Sequence, residues 1–240
     1  MTDAAVRPPP AGEPPVTRLA IVMPVLDEAA GIAATLEALA PLRRRGCALI
    51  VVDGGSRDGT PALAAPLADH VIASPRGRAL QMNAGAAAAA DAGVLLFLHA
   101  DTLLPADADR LVLDAVARGA RWGRFDVRIA GRPRMLRVIA ALMNLRSRLT
   151  GIATGDQAIF VERALFERLG GFPAQPLMED VELSRRLRAV ARPACLRARV
   201  LTSGRRWEQR GVWRTVWLMW RLRWRYWRGV PADALAREYR

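Results

Sequence analysis

The chain has 240 residues, 52% of them hydrophobic, enough for the core of one α/β domain with appendages, and a formal net charge of +13. All 36 basic residues are arginine and alanine is abundant throughout, the mark of a coding bias, so charge bears on function only where it clusters. No stretch approaches the roughly 20 apolar residues of a membrane span. Cys47 and Cys195 lack any Cys-x-x-Cys partner, which argues against a metal cluster and for packed, reduced thiols in the cytoplasm.

In chain order, residues 1–17 carry Pro8, Pro9, Pro10, Pro14 and Pro15 with little that is apolar, and read as a disordered leader. Apolar β-type runs then alternate with helical stretches. Strands are expected over Leu19–Val25, Leu49–Asp53, His70–Ala73 and Val94–His99, with helices over Ile32–Leu42, Pro61–Ala68 and Leu80–Ala92. Such alternation predicts βαβ units and a mostly parallel, Rossmann-like sheet flanked by helices. Beyond Leu104 the pattern is irregular. Trp122–Ile129 reads as a strand, Met135–Leu149 as a helix, Ala158–Val161 as a short strand, and a helix begins near Glu179 with Leu183, Leu187 and Val190 at helical spacing.

Three apolar strands end in acids. Pro24-Val25-Leu26-Asp27-Glu28 closes the first, Asp53-Gly54-Gly55-Ser56-Arg57-Asp58-Gly59-Thr60 follows the second, and His99-Ala100-Asp101-Thr102 follows the third. Each acid alone reads equally well as a helix cap. Together on one sheet edge they point to a shared polar crevice, because ligands of open α/β sheets bind at the carboxyl ends of strands. Asp101 there is placed to hold a divalent cation against phosphate oxygens. The Gly-x-Gly-x-x-Gly and Walker patterns are missing, which argues against a nicotinamide enzyme and a P-loop nucleotidase. Arg76-Gly77-Arg78 precedes a helix, a setting suited to diphosphate or to solvated loop arginines. Glu179 and Asp180 occupy the first turn of their helix, where the dipole favours carboxylates whatever their role.

Charge does cluster in the tail. Six of seven tryptophans lie in 207–227, and Trp213, Trp217, Trp220, Trp224 and Trp227 step by 4, 3, 4 and 3, one narrow stripe on a helix with Arg214, Arg221, Arg225 and Arg228 beside it. That pattern fits a helix lying in a membrane interface, one docked on the body of the domain, or one pairing with a second subunit. Nucleic-acid binding by this tail is the weakest reading.

Taken in order, Pro24–Glu28, Val51–Thr60, Phe97–Asp101 and Glu179-Asp180 resemble the family 2 glycosyltransferases, inverting enzymes of the GT-A nucleotide-sugar-binding fold, over about Leu19–Trp207. Gly77–Ala86, Trp122–Asp126 and Ser203–Trp207 resemble a bacterial subgroup associated with arsenosugar biosynthesis. The resemblance implies a GT-A domain over 18–205 followed by a C-terminal amphipathic helical tail over 206–240. It implies that Pro24, Val25, Asp27, Glu28 and Asp53 line the nucleotide pocket, with Asp53 accepting a hydrogen bond from the base. Arg78 would approach the diphosphate and Asp101 would hold a bridging Mg²⁺ or Mn²⁺. Asp180 would be the general base, helped by Glu179, with Asp156, Gln157, Arg206 and Trp207 on the acceptor side.

The activity implied is transfer of a sugar to a hydroxyl or phosphate acceptor, at the cytoplasmic face of the membrane or free of it. A membrane-surface nucleotide-sugar-binding protein without catalysis and a sugar-phosphate nucleotidyltransferase are the alternatives. Two positions depart from the family pattern. His99 stands at the first place of the usual Asp-x-Asp, as a metal ligand, a donor to phosphate or a satisfied core histidine. Of a Gln-x-x-Arg-Trp pattern in the tail only Arg206-Trp207 is present.

Overall fold

The computed structural model describes residues 18–239; the leader expected at 1–17 lies outside them. Strands β1 (Leu19–Val25), β2 (Ala48–Asp53), β3 (His70–Ala73), β4 (Val94–Phe97), β5 (Thr102–Leu103), β6 (Trp122–Ile129), β7 (Phe160–Glu162) and β8 (Ala194–Thr202) form one sheet in the order β3-β2-β1-β4-β7-β6-β8-β5. The β3-β2-β1-β4 half is wholly parallel. β7 then runs antiparallel to both β4 and β6, β8 is parallel to β6, and β5 closes antiparallel on β8.

Period 2 explains the layers. Leu19, Ile21, Met23 and Val25 of β1, Leu49 and Val51 of β2, and Val94 and Leu96 of β4 enter one apolar cluster. The alternate residues Ala20, Val22, Ile50, Val52, Leu95 and Phe97 enter a second cluster on the opposite face. Side chains alternate across a strand, so a continuous apolar run serves both faces of a covered sheet. Helix α1 (Ile32–Arg44) covers the first face through Ile32, Leu36 and Leu39, joined by α4 (Ala108–Ala117) and α5 (Met135–Thr150). Helices α3 (Arg78–Ala88), α6 (Arg163–Arg168) and α7 (Glu179–Val190) cover the second, through residues such as Met82, Phe166 and Leu183. Short α2 (Thr60–Ala64) links β2 to β3.

Two glycines set close approaches. A Cβ at Gly85 of α3 would overlap the Val22 side chain and lie 2.8 Å from that of Val52, so the helix can settle onto β1 and β2 only with glycine there. At Gly123 of β6 a Cβ would overlap both the Ala194 carbonyl and the Phe160 ring.

β1, β3 and β6 have the bounds their apolar runs predict. β5, α4 and β8 have no counterpart among the elements expected from sequence. The tail forms α8 (Arg205–Arg210), α9 (Val212–Trp227) and α10 (Ala232–Tyr239). Thr215 and Leu222 of α9 are buried, and Leu222 joins Met178 and Leu235 in a small apolar cluster. The tryptophan stripe faces away from it. The helix read as one docked on the body of the domain does pack there, but through this opposite face and not through its stripe: all five indoles are exposed.

Candidate active site

The β1 and β2 ends are stitched together. The Asp27 N–H donates to Ser56 Oγ at 2.9 Å, Glu28 N–H to Thr60 Oγ1 at 2.9 Å and Ala29 N–H to Asp58 Oδ2 at 2.8 Å, while Arg57 N–H returns a bond to Asp27 Oδ1 at 2.8 Å. These bonds involve the acids and hydroxyls that read as caps or ligands. The hydrogen bond from Thr60, then that from the Ala29 backbone, holds the Asp58 carboxyl below its usual range. Asp53, buried at the end of β2, accepts from Gly55 N–H at 3.0 Å and Ser56 N–H at 3.1 Å. A carboxylate has about four acceptor positions, so capacity is left for a further donor. Beneath the loops, Gln81 Nε2 of α3 donates to the Val25 and Val52 carbonyls, each at 2.8 Å. Pro24 and Val25 are covered inside β1, whereas Asp27 is exposed and Glu28 half-buried, 3.5 Å from Arg205 Nη2.

Asp101 lies in the turn after β4. It caps no helix, since α4 starts only at Ala108 after Asp107. Its carbonyl accepts from Ser203 N–H at 3.1 Å, which ties the turn to the end of β8 and so to α8. His99, two residues earlier, packs its ring on Gly155, and its Nδ1 is 3.4 Å from Asp156 Oδ1. A carboxylate thus stands beside the imidazole in space. Burial is the largest influence on Asp156 and acts upward, but the His99 hydrogen bond and the His99, Arg78 and Arg206 charges outweigh it and hold its carboxyl below the usual range.

Gly155–Gln157 form a 3-10 turn whose first N–H donates to Asp180 Oδ2 at 2.8 Å. Asp180 Oδ1 accepts from Val181 N–H at 2.7 Å, so both oxygens are oriented by backbone at the start of α7. The neighbouring Glu179 is buried, and burial first, then the Asp180 charge, raises its pKa above the ordinary value. A cavity of about 10 Å³ lies between Phe97, His99, Gly155, Phe172, Glu179 and Asp180, room for a single water.

Arg78 opens α3 and Arg206 lies on α8, both exposed. Desolvation and then the Arg78 charge push the Arg206 pKa down, while Asp156 and Asp101 pull it up. These four groups therefore share one electrostatic neighbourhood, with two guanidiniums repelling each other inside it. An anion of high charge density would relieve that repulsion. Arg206 also stacks 4.7 Å from the Tyr239 ring centroid.

Of the residues singled out from sequence, Asp101, Asp156, Glu179, Asp180, Arg78 and Arg206 come together in this way. Gln157 is fully buried: its Oε1 accepts from Thr154 N–H at 3.3 Å and its Nε2 lies 3.4 Å from Asn144 Oδ1, so it braces the turn that carries Asp156. Trp207 is half-buried against the first apolar cluster. Arg146 of α5 was not anticipated. Its Nε and Nη2 are shut from solvent without a protein hydrogen-bond partner, and burial lowers its pKa while Asp180 and Asp156 oppose that shift. Its signal in sequence was one arginine among many.

The family model described as glycosyl transferase family 2 matches residues 20–165. No curated protein matches the chain in sequence. Among solved structures, the Pyrobaculum calidifontis mannosyltransferase PcManGT in complex with GDP-Man and Mn²⁺ is 23% identical, with a TM-score of 0.58 over 81% of this chain and 60% of that one. S. aureus TarS 1-349 in complex with UDP is 18% identical, with a TM-score of 0.61 over 78% of this chain and 60% of that one. Mycobacterium tuberculosis glucosyl-3-phosphoglycerate synthase, in complex with Mn²⁺, UDP and phosphoglyceric acid, is 17% identical, with a TM-score of 0.57 over 77% and 69%. The chain thus spans about 60% of the length of the first of these. The curled mixed sheet with flanking helices is the GT-A glycosyltransferase architecture, and the chain belongs to glycosyl transferase family 2.

Proposed function

We propose that the chain moves a sugar from a nucleoside diphosphate donor to a hydroxyl or phosphate acceptor by single displacement, with inversion at the anomeric carbon. The observation that carries this reading is the gathering of opposite charges around one turn. Asp180 is oriented by the Gly155 N–H, and the next residue of that turn, Asp156, shares its electrostatic neighbourhood with the mutually repelling Arg78 and Arg206. In such a reaction the acceptor oxygen loses a proton while the diphosphate gains charge. Asp180 takes the proton, helped by its neighbour Glu179, and Arg78 receives the departing phosphates, with Arg206 beside it at the border of the acceptor side. Asp53 accepts from the base, with the stitched loop of Asp27 and Glu28 forming the floor of the pocket over Pro24 and Val25. Asp156, Arg206 and Trp207 line the acceptor side, with Gln157 fixing the turn beneath.

Asp101 suits a Mg²⁺ or Mn²⁺ that arrives with the donor. Among the described residues no group of three or more His, Cys, Asp or Glu makes a protein-only cage, and a hard cation that keeps phosphate oxygens needs only one or two carboxylates. When bound, the cation neutralises the leaving diphosphate as a Lewis acid. The GDP-Man, UDP, Mn²⁺ and Mg²⁺ held by the structural neighbours support this donor class. The motifs at Gly77–Ala86, Trp122–Asp126 and Ser203–Trp207 support a place in arsenosugar or related glycoside biosynthesis, in the cytoplasm. The structure attributes much of their pattern to packing: Gln81 clamps β1 to β2, and Gly123 admits Phe160.

The test is a thermal-shift series with nucleotide sugars and Mg²⁺ or Mn²⁺, followed by a transfer assay that determines the product anomer. A donor above its Kd raises apparent stability, and Asp180→Asn should lower turnover about 10³-fold while leaving donor binding intact. Asp101→Asn should weaken donor binding and cation dependence together. A flat series, or near-normal turnover in Asp180→Asn, would overturn the assignment.

A further inference from the structure

Helix α9 turns Leu218, Met219 and Leu222 toward Met178 and Leu235, and leaves a row of indoles in solvent. Trp213, Trp217, Trp220, Trp224 and Trp227 are 71%, 65%, 72%, 58% and 80% exposed. Contiguous apolar area of this kind on a folded surface marks a contact site. Arginines border the row. The Arg221 guanidinium lies 5.5 Å from the Trp217 ring centroid and that of Arg228 5.4 Å from Trp224. No acid occurs between Val212 and Trp227; Glu238 of α10 bonds Arg221 at 3.1 Å and also pairs with Arg225. Helix α5 bears a second exposed row, Val138, Leu142, Leu145 and Leu149, while its other face packs on the core.

We propose that α9 is an interfacial anchor that lies in the plane of an anionic lipid bilayer, with the indoles at the boundary of headgroups and acyl chains and the arginines on lipid phosphates. Charge complementarity selects this occupant. Isologous pairing of two copies through the same face would set one arginine row against another, with no acid on α9 to answer it. An anionic surface meets Arg214 and Arg228, which have no acid partner among the described residues of α9 or α10, and faces Arg221 and Arg225 from the side opposite Glu238; tryptophan, apolar in body with one N–H donor, is enriched at that depth. The anchor lies flat, since no described helix is long and apolar enough to cross a membrane. This inference does not depend on the identity of donor or acceptor. It has a bearing on the site, because Arg206 stacks on Tyr239 of the helix that packs against the anchor.

The full chain should be mixed with vesicles of phosphatidylcholine alone, or of phosphatidylcholine with an equal part of phosphatidylglycerol, in low and high salt. Tryptophan emission should shift to the blue and be quenched by bromine-labelled acyl chains only with the anionic vesicles, and salt should weaken the effect. Removing Trp213, Trp220 and Trp227 together by alanine substitution should lower the partition coefficient on the order of 100-fold. Arg214→Gln should lower it about 5-fold. These side chains are exposed, and unchanged far-ultraviolet circular dichroism will establish that the variants fold. Absence of quenching in the unsubstituted protein overturns the proposal. So does a dimer in sedimentation equilibrium, formed without lipid, that the triple substitution dissolves.

Discussion

The Gly155 N–H donates to Asp180 Oδ2 at 2.8 Å, and on its other side the Gly155 α-carbon lies so near the His99 ring that no Cβ fits. One residue thus spaces Asp180 of α7 from the strand end that carries His99 and Asp101. Gly155→Ala would force the 3-10 turn or the imidazole to move. We expect turnover to fall about 10²-fold, as for a 1 Å misplacement of reacting groups, with a stability loss of about 1–3 kcal/mol. Steady-state kinetics beside a urea titration would separate the two, and full activity would show that the turn does not set the position of Asp180.

Glu179 predicts a pH signature. Its carboxyl is raised from 4.5 by burial and by Asp180, so the folded state binds the proton more tightly than the unfolded chain. The sign follows from linkage: this group's favourable contribution is complete below the unfolded value and is lost as pH rises through the folded one. Glu179→Gln cannot ionise. Its Tm relative to the unsubstituted protein should therefore begin to increase near pH 4.5 and level off once the pH has passed the folded value, and a pH-independent difference would contradict the buried acid.

Arg124 of β6 is fully buried and bonds Ser147 Oγ at 3.0 Å, the Asn144 carbonyl at 3.2 Å and the Asp126 carboxylate. Asp126 also receives Arg148 at 2.6 Å. Asp126→Ala would leave the Arg124 charge buried without its counterion, at a cost of about 3–5 kcal/mol. Chemical denaturation should show this as a lower midpoint with the slope unchanged.

Cys47 is buried, and desolvation pushes its thiol up to about 11. At pH 8 only about one molecule in a thousand would carry the thiolate. Iodoacetamide should therefore spare Cys47 in the native protein and modify it after unfolding, as peptide mass mapping would reveal.

Arg146→Met tests a residue that the sequence did not mark. A guanidinium with two nitrogens sealed from solvent and unbonded to protein is costly to bury. Stability should hold or rise, whereas turnover should fall because Asp180 and Asp156 lose a nearby positive charge. A drop in both would assign Arg146 to packing alone.

The first half of the fold was legible because its strands are buried on both faces and end at turn residues; Leu19–Val25 needs only its own composition to be read. Ala194–Thr202 is different. Its arginines at 197 and 199 are exposed, and only its pairing with β6 and β5 makes it a strand. Asp101, Asp53, Glu179 and Asp180 were visible as acids at element ends. The meeting of His99 with Asp156, 57 positions apart, depends on the tertiary approach of Gly155 and has no local trace. Gln81 read as part of a motif, yet it serves the two strand carbonyls.

That clamp, together with the bonds between Asp27–Ala29 and Ser56–Thr60, has a thermodynamic consequence. The loops that the proposed function sets beneath a nucleotide are ordered when the chain folds, so their conformational entropy is already lost before any ligand arrives. Substitution of Thr60 or Ser56 would transfer part of that loss to the binding step, and would weaken every donor alike without changing which one is preferred.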